Sequence, residues 1–386
     1  MRVLLAFDKF KDCLTASAAC AIAAAAIRQT RPDAEIDVCP TADGGDGFAE
    51  ILTQAAKGEL YAVSVHDPIG RPVVASLGLV AAGDIPLAAR LRLNVQDGAR
   101  VAVIEMAAAS GLALLSPNER DVWQTSSYGT GELLAAAATA GADAIVLGVG
   151  GSATSDLGLG ALHALGFQLC DRAGEPVDAA PAGWANAVAI RGRVRELPPL
   201  YIACDVTNPL MGPTGAAAVY GPQKGLATSD VARFDAEAQR LATLLCEWSG
   251  QSRSLQHERG AGAAGGITFG LRAAYGATLL PGCDFVSEWL DLPKRIAAAD
   301  IVITGEGRFD ASSLHGKGPA EIIARALRAR KEVHVFAGAL TATPPAPAGA
   351  HAITPAGMPL DVARRQANEL LAAAILRVFA SAKAAT

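Results

Sequence analysis

The sequence predicts an α/β protein of two domains: a Rossmann/flavodoxin-like parallel-sheet domain built from both chain ends, and a second α/β domain inserted into it. Three observations point there. A length of 386 residues exceeds one typical hydrophobic core. Short apolar runs alternate with helix-length segments at both chain ends, the pattern of parallel strands covered by helices. Between the ends, a hairpin signal breaks the rhythm before alternation resumes.

Val3 to Phe7 is an apolar run bounded by charge and reads as the first strand, with a segment of helical length, Leu14 to Arg28, after it. Glu35 to Cys39 is again strand-like, and a glycine turn leads to a helix from Phe48 to Ala56. Asp67-Pro68-Ile69-Gly70-Arg71-Pro72 is turn chemistry between two extended runs, Tyr61 to Val65 and Val73 to Val80. A strand at Val101 to Glu105, a helix from Thr130 to Ala140 and a strand at Ala144 to Leu147 continue the inserted domain. Near the carboxyl end, Ile301 to Ile303, Pro319 to Arg328, Val333 to Phe336 and Leu360 to Ala382 read as strand, helix, strand and long closing helix. Thr341 to His351, rich in Pro and Ala, reads as a loop. The expected division is 1–61 with 291–386 for the first domain and 62–290 for the second.

Composition narrows the function. Apolar residues make up 51% of the chain, and much of that is alanine in segments such as Ala18 to Ile27, which favours helix. The formal charge is -5, and the basic clusters Arg191 to Arg195 and Arg325 to Lys331 are interrupted by apolar or acidic residues. Nothing there neutralises a run of phosphates, so no nucleic-acid partner is expected. The seven cysteines form no C-x-x-C pair and read as reduced, small apolar residues. Met1 to Phe7 runs straight into Asp8-Lys9 without a secretory apolar region, and no segment reaches ~20 uninterrupted apolar residues. The expectation is a cytoplasmic monomer or homodimer with no membrane partner.

Five clusters combine glycine with carboxylate, hydroxyl or lysine at the carboxyl ends of predicted strands, where open α/β sheets place ligands. Phe7-Asp8-Lys9-Phe10-Lys11-Asp12 offers a point charge for phosphate or carboxylate oxygens beside an acid that can hold magnesium or take a proton. Its plain alternative is a solvated loop with Thr15 as helix cap. Asp43-Gly44-Gly45-Asp46-Gly47 opens a helix, so backbone N–H groups can approach an anion; a tight turn with an aspartate cap is the alternative. Gly148-Val149-Gly150-Gly151-Ser152-Ala153-Thr154-Ser155-Asp156 is a possible cradle for phosphate or carboxylate, or else a turn for close strand–helix packing. Ala203-Cys204-Asp205-Val206-Thr207-Asn208-Pro209-Leu210, with Gln223-Lys224 downstream, supplies oxygen ligands or polyol partners, or an Asx turn before proline. Thr304-Gly305-Glu306-Gly307-Arg308-Phe309-Asp310, closing with Ser313, His315, Gly316 and Lys317, crowds both charge signs into a glycine loop, as expected where a metal meets an anionic ligand.

These motifs, in this order, resemble the glycerate kinase family, the type without a Walker P-loop. The similarity runs from Asp8 to Ala16 through Ala42 to Gly47, Glu105-Met106-Ala107, Gly150 to Gly160, Cys204 to Leu210 and Gly262 to Gly266 to Thr304 to Lys317. Asp12-Cys13 stands where that family commonly has Gly-Ser, Asp46 where glutamate is usual, and Ser155 and Leu157 in place of Asn and Gly. The resemblance implies two α/β domains with the active site in the cleft between them, ATP with Mg2+ as cofactors, D-glycerate as acceptor, and 2-phosphoglycerate as the favoured product.

Strand-end placement and residue type make Lys11, Asp205, Asp8 and Arg308 the candidate catalytic residues. Lys11 and Arg308 would meet anionic groups, and Asp205 or Asp8 would accept the hydroxyl proton. Glu306, Asp43 and Asp310 are candidate magnesium ligands. Asp43, Gly44, Gly45, Asp46, Glu105, Gly150, Gly151, Ser152, Asp156, Asn208, Thr304, Gly305, Gly307, Ser313 and Lys317 are candidate substrate or nucleotide contacts. Two other classes compete. Ile145 to Ala153 ends in a G-x-G-x-x-A pattern with Asp171 closing a second apolar run, a spacing compatible with an NAD-dependent oxidoreductase. A non-catalytic ligand-binding regulator would bind without turnover.

Overall fold

The computed structural model describes residues 1–314 and 318–381. In chain order its strands are β1 (Arg2–Phe7), β2 (Glu35–Val38), β3 (Glu59–His66), β4 (Pro72–Ala81), β5 (Arg100–Glu105), β6 (Ala144–Gly148), β7 (Phe167–Cys170), β8 (Pro176–Val177), β9 (Ala189–Gly192), β10 (Leu200–Ala203), β11 (Thr278–Leu280), β12 (Ile301–Phe309), β13 (Glu332–Leu340) and β14 (Gly349–Ala352). The chain packs as two compact units, one of residues 1–43 and 283–386, the other of 44–282. The helix Phe48–Ala55, grouped by sequence with the first domain, packs against β4 and β5 of the second unit.

The first unit is built on a wholly parallel sheet ordered β14-β13-β12-β1-β2. Val3, Leu5 and Phe7 share a core with the helices Ala16–Thr30 and Ala367–Ser381. Leu4 and Ala6, which alternate with them, are also fully buried, and the helices Leu292–Ala298 and Gly318–Arg328 pack against β1 and β12. Burial on both faces explains why β1 is a continuous apolar run instead of an alternating one. The first helix begins where Thr15 accepts a hydrogen bond from Ala18 N–H at 3.1 Å, the capping role open to it in the sequence. From β1 the chain steps to β2 on one side and later returns to β12 on the other. The carboxyl ends of β1 and β12 are therefore a topological switch point.

Two elements of this unit differ from expectation. β12 does not stop at Ile303 but continues to Phe309, because β13 pairs with it along its whole length, Glu306 with Ala337 and Arg308 with Ala339. Gly305 therefore works as a strand residue: a Cβ there would lie 1.8 Å from the Phe336 carbonyl oxygen. The closing helix is two helices, Leu360–Arg365 and Ala367–Ser381, separated at Gln366. The carboxyl end of the presumed loop 341–351 contributes to β14.

The second unit carries a sheet ordered β11-β10-β6-β5-β4-β3, parallel from β11 to β5 and antiparallel through β4 and β3. The hairpin between β3 and β4 forms where the sequence places its turn: Asp67 Oδ1 accepts from Ile69 N–H at 3.0 Å and Arg71 N–H at 2.9 Å. A smaller antiparallel sheet, β8-β7-β9, stands apart. Among the described residues no helix is long and apolar enough to cross a membrane, and the cysteines there are free thiols.

Candidate active site

β1 ends at Phe7, opposite Gly305, while β12 runs on through Phe309. Asp8 consequently leaves the sheet beside Glu306, which β12 still holds, and Asp8 N–H donates to the Gly305 carbonyl at 3.0 Å. Asp43 arrives from beyond β2. The ammonium of Lys9 joins the acids, 3.0 Å from Asp43 Oδ1 and 3.8 Å from Asp8 Oδ1. Lys9 N–H also donates to Asp8 Oδ1 at 2.6 Å.

Asp8 is 7% exposed, and burial, opposed by Lys9 but reinforced by the charges of Asp43 and Glu306, raises its pKa to about 7. A carboxyl poised there exchanges a proton at neutral pH, as a general base requires. Arg308 is exposed at the end of β12 and pairs loosely with Asp310, Nε to Oδ2 at 3.5 Å. Lys11 is exposed on the turn after β1, two residues beyond Lys9. Ser313 Oγ accepts from Asp310 N–H at 3.1 Å and donates to the Arg308 carbonyl at 3.3 Å, so it shapes this strand end. Thr304 is fully buried and donates to the Ala6 carbonyl at 2.7 Å, tying β12 to β1. Lys317, with His315 and Gly316, lies outside the described residues.

The candidates of the second unit are arranged differently. Glu105, at the end of β5, accepts from Gly47 N–H at 3.3 Å and Ala49 N–H at 2.8 Å, closing the amino terminus of the helix Phe48–Ala55. Gly44 and Gly45 lie against the loop after β6. Gly150 N–H donates to the Gly44 carbonyl at 2.9 Å, and a Cβ on Gly150 would lie 2.7 Å from Gly45 Cα. Close backbone packing accounts for these glycines, and the exposed Asp46 and Gly151 lie together at the edge of the contact. Asp156 is wholly buried. Its carboxylate accepts from Ser127 N–H and Oγ–H at 2.7 and 2.8 Å, Gly158 N–H at 3.1 Å and Gly160 N–H at 3.2 Å, while burial raises its pKa. Ser152 Oγ accepts from Lys224. Asn208 is also committed, donating to the Thr214 carbonyl at 2.7 Å and accepting from Tyr220 at 2.9 Å. Asp205 follows β10 and is exposed.

The dinucleotide pattern fails on topology. A dinucleotide fold needs the strand after the glycine loop to return parallel within the same sheet, whereas β7 lies in the small antiparallel sheet and β6 is flanked by β5 and β10. Asp171 is spent in the β7–β8 turn, accepting from Ala173 and Glu175 N–H groups.

A model of the glycerate kinase family matches residues 3–383. The chain belongs to the glycerate kinase family. A protein named glycerate kinase from Haemophilus influenzae is 38% identical to this family member over 346 residues, 88% of this chain and 86% of the relative. One named glycerate 2-kinase from Escherichia coli is 37% identical over 88% of this chain and 86% of its own length. A crystal structure from Salmonella typhimurium LT2, described provisionally as glycerate kinase 2, superposes with a TM-score of 0.78 at 36% identity, covering 100% of this chain and 99% of that one. The two-domain α/β architecture and the assignment as a kinase follow.

In this glycerate kinase family chain the structure places Lys9 among the acids, while Lys11, the lysine that the sequence singles out, is exposed on the turn. Sequence position separates them: Lys9 directly follows Asp8, the first residue beyond β1, whereas Lys11 sits in a turn whose next residue, Asp12, has φ +64°. In the sequence Lys224 stands only as a neighbour of the fourth cluster, and nothing in Gly221-Pro222-Gln223-Lys224-Gly225 marks it as buried.

Proposed function

We propose that this chain transfers the γ-phosphoryl group of ATP to the 2-hydroxyl of D-glycerate, giving 2-phosphoglycerate and ADP. The observation that carries the reading is the group of Asp8, Lys9, Asp43 and Glu306 at the switch point of the parallel sheet, with Asp8 buried and held near neutrality. Asp8 takes the proton of the acceptor hydroxyl. The hydroxyl oxygen forms a bond to the γ-phosphorus as the bridging β–γ oxygen–phosphorus bond breaks, and ADP leaves with that electron pair. Lys9 limits the charge that Asp8 and Asp43 build up together. Lys11 and Arg308, both exposed, are free to turn to phosphate or carboxylate oxygens.

Hard carboxylate oxygens suit magnesium, and Asp43 and Glu306, with Asp310 nearby in sequence, would hold it. Among the described residues no three His, Cys, Asp or Glu side chains converge on a ready-made metal cage. That fits an ion bound through one or two carboxylates and the substrate phosphates. When bound, it neutralises charge on the transferred group. Choice of the 2-hydroxyl is supported by the relative named glycerate 2-kinase.

A phosphorus NMR time course with ATP, magnesium and D-glycerate tests the reading, with growth of a 2-phosphoglycerate resonance as the expected result. A 3-phosphoglycerate resonance would retain the kinase and reverse the regiochemistry. No phosphoester above the ATP control would overturn the proposal.

A further inference from the structure

Lys224 has no part in the phosphotransfer steps, yet its side chain is buried inside the second unit. It is 2% exposed, and its ammonium donates to Ser152 Oγ at 2.9 Å and to the Thr154 carbonyl at 2.6 Å. Lysine is almost never fully buried without a purpose for its charge. The nearby acid, Asp156, already accepts four hydrogen bonds. Packing alone would be met by methionine, so the polar end has to be explained.

An ammonium has protons and no lone pair. Toward the protonated Lys224, therefore, Ser152 can only accept, and its single O–H must point elsewhere. Among the described residues that O–H donates to no acceptor. The hydroxyls of Thr154 and Ser155, each at most 2% exposed, likewise make no hydrogen bond there. Three hydroxyls within four residues, at the carboxyl end of β6 and beside the exposed Gly151, have hydrogen-bonding capacity left over. Buried polar groups are seldom left so.

We infer that Lys224 is a positioning residue that fixes the Ser152 O–H as a donor to an anionic oxygen of a substrate, either the carboxylate of the acceptor or a phosphate of the nucleotide. The inference rests on the phosphotransfer reading only for the identity of those anions. Burial lowers the Lys224 pKa to about 7, and the charge of Asp156 opposes that shift, so Asp156 supports the protonated lysine from behind.

Steady-state kinetics of Ser152→Ala, Lys224→Met and the double variant test it. Losing a hydrogen bond to a charged group raises KM by about tenfold, so Ser152→Ala is expected to show that rise for one substrate, with kcat and melting temperature little changed. A rise for glycerate names the carboxylate, and a rise for ATP names the phosphate. Lys224→Met should give the same rise alone and no further rise in the Ser152→Ala background. Unchanged KM values in Ser152→Ala, or two effects that multiply in the double variant, would overturn the inference. If Lys224→Met does not fold, Lys224→Gln replaces it, because a glutamine carbonyl lets the serine proton turn inward. If the wild-type chain binds glycerate and ATP without turnover, the kinase reading fails by itself, and calorimetric affinities for both anions carry the same comparison.

Discussion

Asp8 and Asp156 are both buried aspartates beyond the end of a strand, and they have opposite fates. Asp156 accepts from four donors that hold the starts of the segments at Ser127 and Gly158. Asp8 accepts from one backbone N–H and otherwise faces Lys9, Asp43 and Glu306. Burial raises the pKa of each. What separates the two carboxylates is therefore how many of their lone pairs the fold has already used. The same contrast runs through the two units: Lys11 and Arg308 are exposed beyond β1 and on β12, while Glu105 and Asp156 beside the glycine loops accept from backbone N–H groups.

The largest effect is expected at Asp8. Replacing it with Asn is expected to lower kcat by about 10²- to 10⁴-fold, the usual worth of a general base, measured with both substrates saturating. The same variant should melt higher than wild type at pH 8 and lose that advantage toward pH 4. A carboxyl whose folded pKa is raised from 3.8 to about 7 binds its proton more tightly when folded, so stability falls as pH rises through that window. A lower melting temperature at pH 8 would place Asp8 with Asp156. Asp156→Asn, in contrast, should destabilise the fold by about 3 kcal/mol in urea titrations, since an amide cannot accept from all four donors. Glu105→Gln should cost about 1 kcal/mol, the typical value of a helix amino-terminal cap, with kcat within a few-fold. The smallest effect is expected for Lys11→Ala, a rise in KM of at most about tenfold from one lost charge-assisted contact. A larger loss there than at Lys9→Met would reverse the order of the two lysines.

Alternation of apolar runs with helix-length segments made the sheet of the first unit legible, because β1 is buried on both faces and β2 and β13 follow at covering-helix spacing. The far half of β12 was not legible. Gly305 and Gly307 carry turn chemistry, and only the presence of β13 shows that they are extended for close approach. β14 is hidden by glycine, alanine and histidine, and the antiparallel β7–β9 sheet by its short strands. At the candidate site, residue type picks out the acids as candidates, but Lys9 and Lys11 differ in placement, which depends on where β1 stops. Lys224 depends wholly on tertiary burial.

The glycines that interlock the segments after Asp43 and β6 have a consequence for comparative genetics. A methyl group on Gly148 would sit 2.5 Å from the Gly44 carbonyl oxygen, and one on Gly150 would meet Gly45 Cα. Volume alone bars every other residue from those two positions, so their invariance in any set of relatives would carry no information about ligand contact. Gly151 is held by its φ of +74°, whereas the exposed Asp46, Lys11 and Arg308 are under no such steric veto, and only at positions like these is invariance informative about ligand contact.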